Sequence, residues 1–456
     1  MRTLSFASET PALLDTELSN RGIFFLLPVF LWQSRIKTGS VFFRINMKLI
    51  NLKKELYRAV QQTRLTVQKK KHYLEIPQTV NRLAEQIISR TYQPSQYNCF
   101  AISDPTPREI LAPSYPDRIV HRWLVNKMEP FIDKRLLPCS YANRKGKGHH
   151  RAVKQLRFYL NNSANKYYLK SDIRSFFNSI DHRLLLAVVG RWINKLPYCK
   201  EEKETLMFLS ETIITHNPTE KVLFTGNKNK LKAIPRHKSY FYNPQGKGLP
   251  LGNLTSQFFA NIYLHELDWF VKHQLHVRYY LRYVDDVVLL AETTAQLKEW
   301  QNTISDFLKE ELKLHLHLKK TILQPTRYGI DFLGYIIRCD YILVRRRVVK
   351  NFKRKLYFYN HLLNNSDRVQ NPVRVNYNGN GKIEKLCRTH ELTVPIKPNR
   401  SLLLSMQSSL NSYYGIFRFA DTHHLRKELY LHRFGTLQKY FYANNRFHKT
   451  GLLKKR

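Results

Sequence analysis

Residues 277–291, VRYYLRYVDDVVLLA, set two adjacent acids, Asp285 and Asp286, between flanks of β-branched and aromatic residues. Such flanks form strands, so the pattern predicts a hairpin with both acids at its tip. Burying adjacent carboxylates in so apolar a segment costs several kcal/mol unless cations neutralise them. A metal site meets that condition; a solvent-exposed Asp-Asp turn avoids the cost altogether.

A second acid has similar surroundings. In residues 167–181, YYLKSDIRSFFNSID, an apolar strand ends at Asp172, and Phe176 and Phe177 follow. Phosphoryl transfer to a 3′-hydroxyl uses two magnesium ions about 3.5–4 Å apart, which carboxylates from two strands can bridge. Asp172, Asp285 and Asp286 supply that set. Between the two acidic segments lies GLPLGNLTSQ (248–257), followed by the helical run FFANIYLHELDWFVK. Gly248 and Gly252 permit close backbone approach, so this segment is expected to form a platform under a template base and an incoming nucleotide.

Composition narrows the partner. Against 34 Asp and Glu stand 76 Lys and Arg, a net charge of +42 that calls for a polyanion. Nucleic acid fits, because basic surfaces displace counterions from phosphates and the 27 Tyr and 26 Phe offer faces for base stacking. A membrane surface is the competing partner, disfavoured because the cations are spread along the chain. At 456 residues and 43% hydrophobic content, two or three packed subdomains are expected. The five cysteines form no C-x-x-C pair, and only Cys387 has a histidine, His390, at ligand spacing. Reduced thiols, a cytoplasmic location and no structural zinc are the expectation.

Along the chain, residues 23–32 form an apolar run too short to span a bilayer, in the manner of a weak signal segment, and Met47 opens a fresh amphipathic pattern, so that 1–46 is expected to be an upstream extension. Helical spacing is expected from 48 to about 93, with a basic cluster at Lys69-Lys70-Lys71. Residues 217–246 read as a long loop or hairpin that touches phosphates, 364–380 as a linker, and 402–442 as a separate helical module.

With these motifs in this order, the chain resembles the reverse transcriptases. Tyr283-Val284-Asp285-Asp286 matches the family's Y-x-D-D box and Asp172 its first aspartate motif, and the likeness runs from Thr106 to Gly334. The resemblance implies an α+β right-hand polymerase: helical arm and fingers over 47–160, palm with an antiparallel sheet and the Y-x-D-D hairpin over 161–340, connector over 341–395, and helical thumb with a basic tail over 396–456. It implies RNA-directed DNA synthesis with two magnesium ions, Mn2+ able to substitute, held by Asp172, the Ile173 backbone, Asp285 and Asp286. By the same resemblance Lys320, beside Lys319, protonates pyrophosphate, and Phe177 crowds a ribose 2′-hydroxyl. Arg108, Arg144, Leu251, Gly252, Ser256 and Gln257 contact substrate, and Phe332, Leu333 and Gly334 grip the primer.

Two departures refine the likeness. Leu251 stands where many relatives have glutamine and Gln257 follows Ser256 in place of proline, a pattern similar to diversity-generating retroelement and antiviral-defence enzymes. Thr106 replaces a common lysine before the PREI segment. Implied partners are an RNA template, the DNA product duplex, dNTPs, a cognate structured RNA and an accessory protein, with no membrane. A catalytically silent RNA-binding scaffold with the same fold is the alternative, and an RNA-dependent RNA polymerase is disfavoured by Phe177.

Overall fold

The computed structural model describes residues 38–63, 75–102, 107–226, 228–364 and 398–453. Lys69-Lys70-Lys71, Thr106, nearly all of 364–380, Cys387 and His390 lie outside them, as does most of 1–46. The chain divides into two units, residues 1–48 and 49–456, and the second carries both acidic motifs.

Helices α1 (Thr38–Gln62) and α2 (Ile76–Ile88) lead into strands β1 (Tyr97–Ile102) and β2 (Arg108–Ala112), then α3 (Tyr115–Ile132) and α4 (His149–Leu160). Strand β3 (Tyr167–Asp172) is followed by the short α5 (Phe176–Ser179), α6 (His182–Asn194) and α7 (Lys200–Thr215), then β4 (Val222–Phe224) and α8 (Lys228–Lys232). Next come α9 (Leu254–Trp269), the hairpin β5 (Tyr279–Tyr283) and β6 (Asp286–Ala291), α10 (Thr294–Glu310) and β7 (Ile322–Pro325). The chain ends in β8 (Ile330–Phe332), β9 (Tyr335–Ile337), β10 (Ile342–Val344), α11 (Arg346–Asn364), α12 (Arg400–Phe417), α13 (His423–Arg433), β11 (Phe441–Ala443) and β12 (Thr450–Leu452).

The sheet β5-β6-β3-β7 is antiparallel throughout and carries the acidic motifs. Strand β6 reads as an unbroken apolar run because both its faces are covered. Val287, Leu289 and Ala291 face a core shared with α3, α6, α7 and α9, while Val288 and Leu290 face a second core built from β8 to β10 and the C-terminal helices. Alternation in β3 does the same, sending Leu169 to the first core and Tyr168 to the second. Helix α9 is apolar on all sides and buried along nearly its whole length, the pattern of a central helix.

Three expectations change. Residues 217–246 are no simple loop: β4 pairs in parallel with β1 and completes the sheet β2-β1-β4. The C-terminal helices are no separate module, since Leu402, Met406, Leu410 and Phe417 share one core with Phe332, Tyr335, Phe352 and Leu290. The tail forms the hairpin β11-β12, held to α12 where Gln407 Nε2 and Asn411 Nδ2 donate to the Thr450 carbonyl at 3.1 and 3.0 Å. Among the described residues no helix is long and apolar enough to cross a membrane.

Candidate active site

Register fixes the acids. Asp172, the last residue of β3, pairs directly with Asp286, the first of β6, and Tyr283 pairs with Asp286 on the other side. Val284 and Asp285 are left as a two-residue turn. Val284 takes φ +56°, a left-handed conformation that a β-branched residue adopts only under constraint.

Three carboxylates converge at one end of the sheet, and two of them, Asp285 and Asp286, are raised there. Burial, then the charges of Asp172 and Asp286, push Asp285 up to about 7. Burial also raises Asp286, against the pull of Lys170. An all-oxygen donor set in which Asp285 and Asp286 ionise reluctantly without a counter-charge suits a hard divalent cation. Among the described residues no three His, Cys, Asp or Glu side chains form a group placed to hold a metal ion; instead Lys320 Nζ donates to Asp172 Oδ2 at 2.5 Å. The backbone of Ile173 bridges to Leu316. The flanking bonds run from His317 N to the Asp172 carbonyl at 2.7 Å and from Arg174 N to the His315 carbonyl at 2.8 Å. Neither uses the Ile173 carbonyl.

Phe177 is half-buried in α5. Its ring lies 5.2 Å from that of Phe176, and its carbonyl accepts from Leu249 N at 2.7 Å, which ties the segment 248–257 to the Asp172 strand. Arg108 is exposed at the start of β2. Gln257 is exposed near the start of α9, whereas Ser256 is buried at 2% exposure. Leu251 is half-buried, and its carbonyl accepts from Leu111 N at 2.7 Å.

The structure gives three residues other work. The Arg144 side chain is only 6% exposed and its guanidinium donors are engaged: Nε donates to Asp133 Oδ1 at 2.6 Å, Nη1 to the Leu137 carbonyl at 2.6 Å, and Nη2 to the Asp133 carbonyl at 2.7 Å. It caps the end of α3 and is not free for phosphate. Gly252, at φ +132°, is required by the chain itself, because a Cβ there would sit 2.3 Å from the Leu111 carbonyl oxygen. Phe332 is fully buried, so it cannot touch a primer; Leu333 and Gly334, at φ +49° and +87°, form the tight turn joining β8 to β9. The Leu333 carbonyl lies 2.6 Å from His149 Nε2.

Sequence reasoning missed the network that holds the acidic turn. Arg282, 1% exposed, donates through Nε and Nη2 to both oxygens of Asp268 at 2.7 and 2.6 Å. Its Nη1 donates to the strained Val284 carbonyl at 3.0 Å, and Tyr280 Oη donates to Asp268 at 2.8 Å. The available signal was a charge inside an apolar strand, Arg282, with an acid, Asp268, inside the apolar helix that precedes it. Asp268→Asn should destabilise the fold by about 3–5 kcal/mol, because it strands a buried guanidinium. Denaturant unfolding measures this; a loss within experimental error would show that the pair is relaxed by water.

A second buried contact sets the start of α9. His121 Nδ1 lies 2.8 Å from Thr255 Oγ1, and burial pushes this imidazole down to about 4 from 6.5, with Asp117 opposing and His216 adding to the shift. A group lowered in the folded state contributes stability above its unfolded value and loses it as pH falls through the folded one. Melting temperature should therefore drop between pH 6.5 and about 4 by more in the wild type than in His121→Gln. Parallel pH profiles would rule this out.

A family model described as "Reverse transcriptase (RNA-dependent DNA polymerase)" matches residues 103–337, just over half of the chain. Protein YkfC of Escherichia coli (strain K12) is 24% identical over 294 residues, covering 56% of this chain and 69% of YkfC. The group II intron-encoded protein LtrA of Lactococcus lactis subsp. cremoris is 20% identical over 324 residues, 57% of this chain and 49% of LtrA. Among solved structures, telomerase from Candida albicans in complex with a fragment of telomeric RNA superposes at a TM-score of 0.39 and 12% identity, covering 77% of this chain and 58% of that chain. The chain thus spans about half the length of LtrA and of the telomerase chain, and rather more of YkfC. Reverse transcriptase domains use divalent metal ions; the all-oxygen chemistry of Asp172, Asp285 and Asp286 suits them, while in this structure Lys320 takes the place of a cation at Asp172. With its α+β right-hand polymerase fold, the chain belongs to the reverse transcriptase (RNA-dependent DNA polymerase) family.

Proposed function

We propose that this chain extends a primer with dNTPs on an RNA template, with two magnesium ions as cofactors and Mn2+ able to replace them. The observation that carries the reading is the direct pairing of Asp172 with Asp286 across β3 and β6, with Asp285 in the adjoining turn. Asp172, Asp285, Asp286 and the Ile173 carbonyl would hold the ions. Bound there, the ions would supply charge for the attacking 3′-oxygen and the triphosphate.

The chain's own groups do the rest. The Arg282–Asp268 pair keeps the acidic turn rigid. Lys320 Nζ, which donates to Asp172 Oδ2, would be placed to pass a proton to the departing pyrophosphate. Phe177 blocks the space of a 2′-hydroxyl, and Arg108 meets phosphate from the β2 side. Gln257 and Leu251 line the nucleotide side, where the apolar Leu251 removes an amide contact that many relatives have, and the buried Ser256 supports them from behind. Leu333 and Gly334 stay in the proposed primer grip as backbone in a fixed turn. Arg347, Asn351, Lys355, Ser409 and Ser412, together with Val348, Tyr413 and Ile416, line a mixed cleft between α11 and α12 whose two cations suit the backbone of the product duplex. The Leu251 and Gln257 pattern supports a prokaryotic retroelement or antiviral-defence setting, in which the chain would work with a cognate structured RNA and an accessory protein.

Primer extension by purified protein on matched RNA and DNA templates, in Mg2+ and in Mn2+, tests the reading. DNA synthesis on RNA is the expected result. Tight RNA binding with no synthesis in either metal would point to the silent scaffold. Sequencing the RNA and DNA that co-purify from cells would then distinguish diversification from defence.

A further inference from the structure

The surface around β4 is unusual in composition and exposure. Residues 217–247 carry seven Lys and Arg against one Glu. Yet Leu223, Phe224, Phe241 and Tyr242 are 51, 48, 38 and 61% exposed. Large exposed apolar groups gathered in one place mark a contact surface. The rings are ordered: Phe224 and Phe241 stack at 5.7 Å with 22° between their planes, and the Arg236 guanidinium lies 5.2 Å from the centre of the Tyr242 ring.

The surface is also held firmly next to the candidate active site. Strand β4 is bonded to β1, and the buried Tyr240 donates through Oη to the Gly248 carbonyl at 3.1 Å. Tyr240 N and Ser239 Oγ donate to the two oxygens of buried Glu109 at 3.0 and 2.8 Å, beside Arg108. Ser175 Oγ donates to the His237 carbonyl at 3.4 Å, two residues before Phe177.

Charge and chemistry decide the occupant. A second copy of this chain would bring the same cations and be repelled. A duplex hides its base faces in its own stack, so exposed rings gain little from it. An unpaired strand offers both bare base faces and phosphates, which aromatic rings flanked by cations bind without regard to sequence. We infer that Phe224, Phe241 and Tyr242 stack unpaired RNA bases on their way to the active site, while Arg236 and Lys238 neutralise the phosphates. The identity of that strand as template rests on the polymerase reading; the stacking site itself does not.

The test compares the affinity of the full chain for an RNA–DNA duplex that is blunt or carries a 5′ RNA overhang of about eight nucleotides. The wild type should bind the overhang form about tenfold more tightly, and Phe224→Ala/Tyr242→Ala should lose that gain. Tyr242→Leu, which keeps bulk and apolarity but has no ring face, should lose part of it. Arg236→Gln/Lys238→Gln should reduce the salt dependence by about 0.7 per lost phosphate contact. If overhang discrimination vanishes in the ring variants of a protein that extends no primer, the stacking site stands without the polymerase reading. If primers are extended and the ring variants keep the full gain, the inference is overturned and the polymerase reading survives. Retention of the gain in Tyr242→Leu together with wild-type self-association relieved by the alanine pair would likewise overturn it, and assign the surface to protein contact.

Discussion

Asp285→Asn should lower the rate of primer extension by at least about a thousandfold while making the metal-free protein more stable. The two effects share one cause. Asp285 sits in a strained turn beside Asp172 and Asp286, where burial and like charge raise it from 3.8 to about 7. A carboxyl raised in the folded state costs stability once it ionises, so metal-free stability falls as pH rises from 3.8 through about 7 and stays low above it. The amide has no charge to bury. Above pH 7 without divalent ions the variant should therefore melt higher than the wild type, and below pH 4 the two should converge. Added Mg2+ should raise the wild-type melting temperature and leave the variant nearly unmoved. A variant that is less stable above pH 7 would mean that Asp285 makes a favourable contact in the metal-free fold, and extension within about tenfold of wild type would remove it from catalysis.

Phe177→Ala should raise the ratio of ribonucleotide to deoxynucleotide kcat/KM by about 10- to 200-fold, the range open to a pocket that gains or loses a small apolar contact. Phe177 is the half-buried member of a ring pair whose partner, Phe176, is fully in the core. Trimming it opens space on the site side and leaves Phe176 to hold α5. Its backbone bond to Leu249 N does not depend on the side chain. An unchanged ratio in a folded variant would make Phe177 a packing residue and place the sugar check elsewhere.

The acidic strands were legible because their alternation and flanks permit few other arrangements. DVVLLA is apolar on both faces, which only a central strand can bury, and the turn before it must then carry Asp285. Local pattern gave less where a partner far along the chain decides the outcome. The three residues of β4 become a strand only by lying against β1. Arg144 resembles a phosphate ligand in sequence, but the carbonyls that claim it belong to the end of α3 and the loop after it. Gly252 was rightly read as a point of close approach; the approaching group is the Leu111 carbonyl, which spacing alone does not reveal. Phe332, Leu333 and Gly334 were expected as one primer grip, yet Phe332 ends a strand while Leu333 and Gly334 turn, and only the glycine announced it. The C-terminal helices looked independent because the segment before them is polar, whereas their apolar faces complete the core behind the sheet.

The most direct measurement is incorporation of a single deoxynucleotide opposite a defined RNA base, with wild type and Asp172→Asn assayed side by side in Mg2+. Wild type should add the complementary deoxynucleotide in preference to the other three, and Asp172→Asn should bind the same primer–template and add none above background. Equal incorporation by the two proteins, or addition by wild type that ignores the template base, would contradict RNA-templated synthesis at these carboxylates.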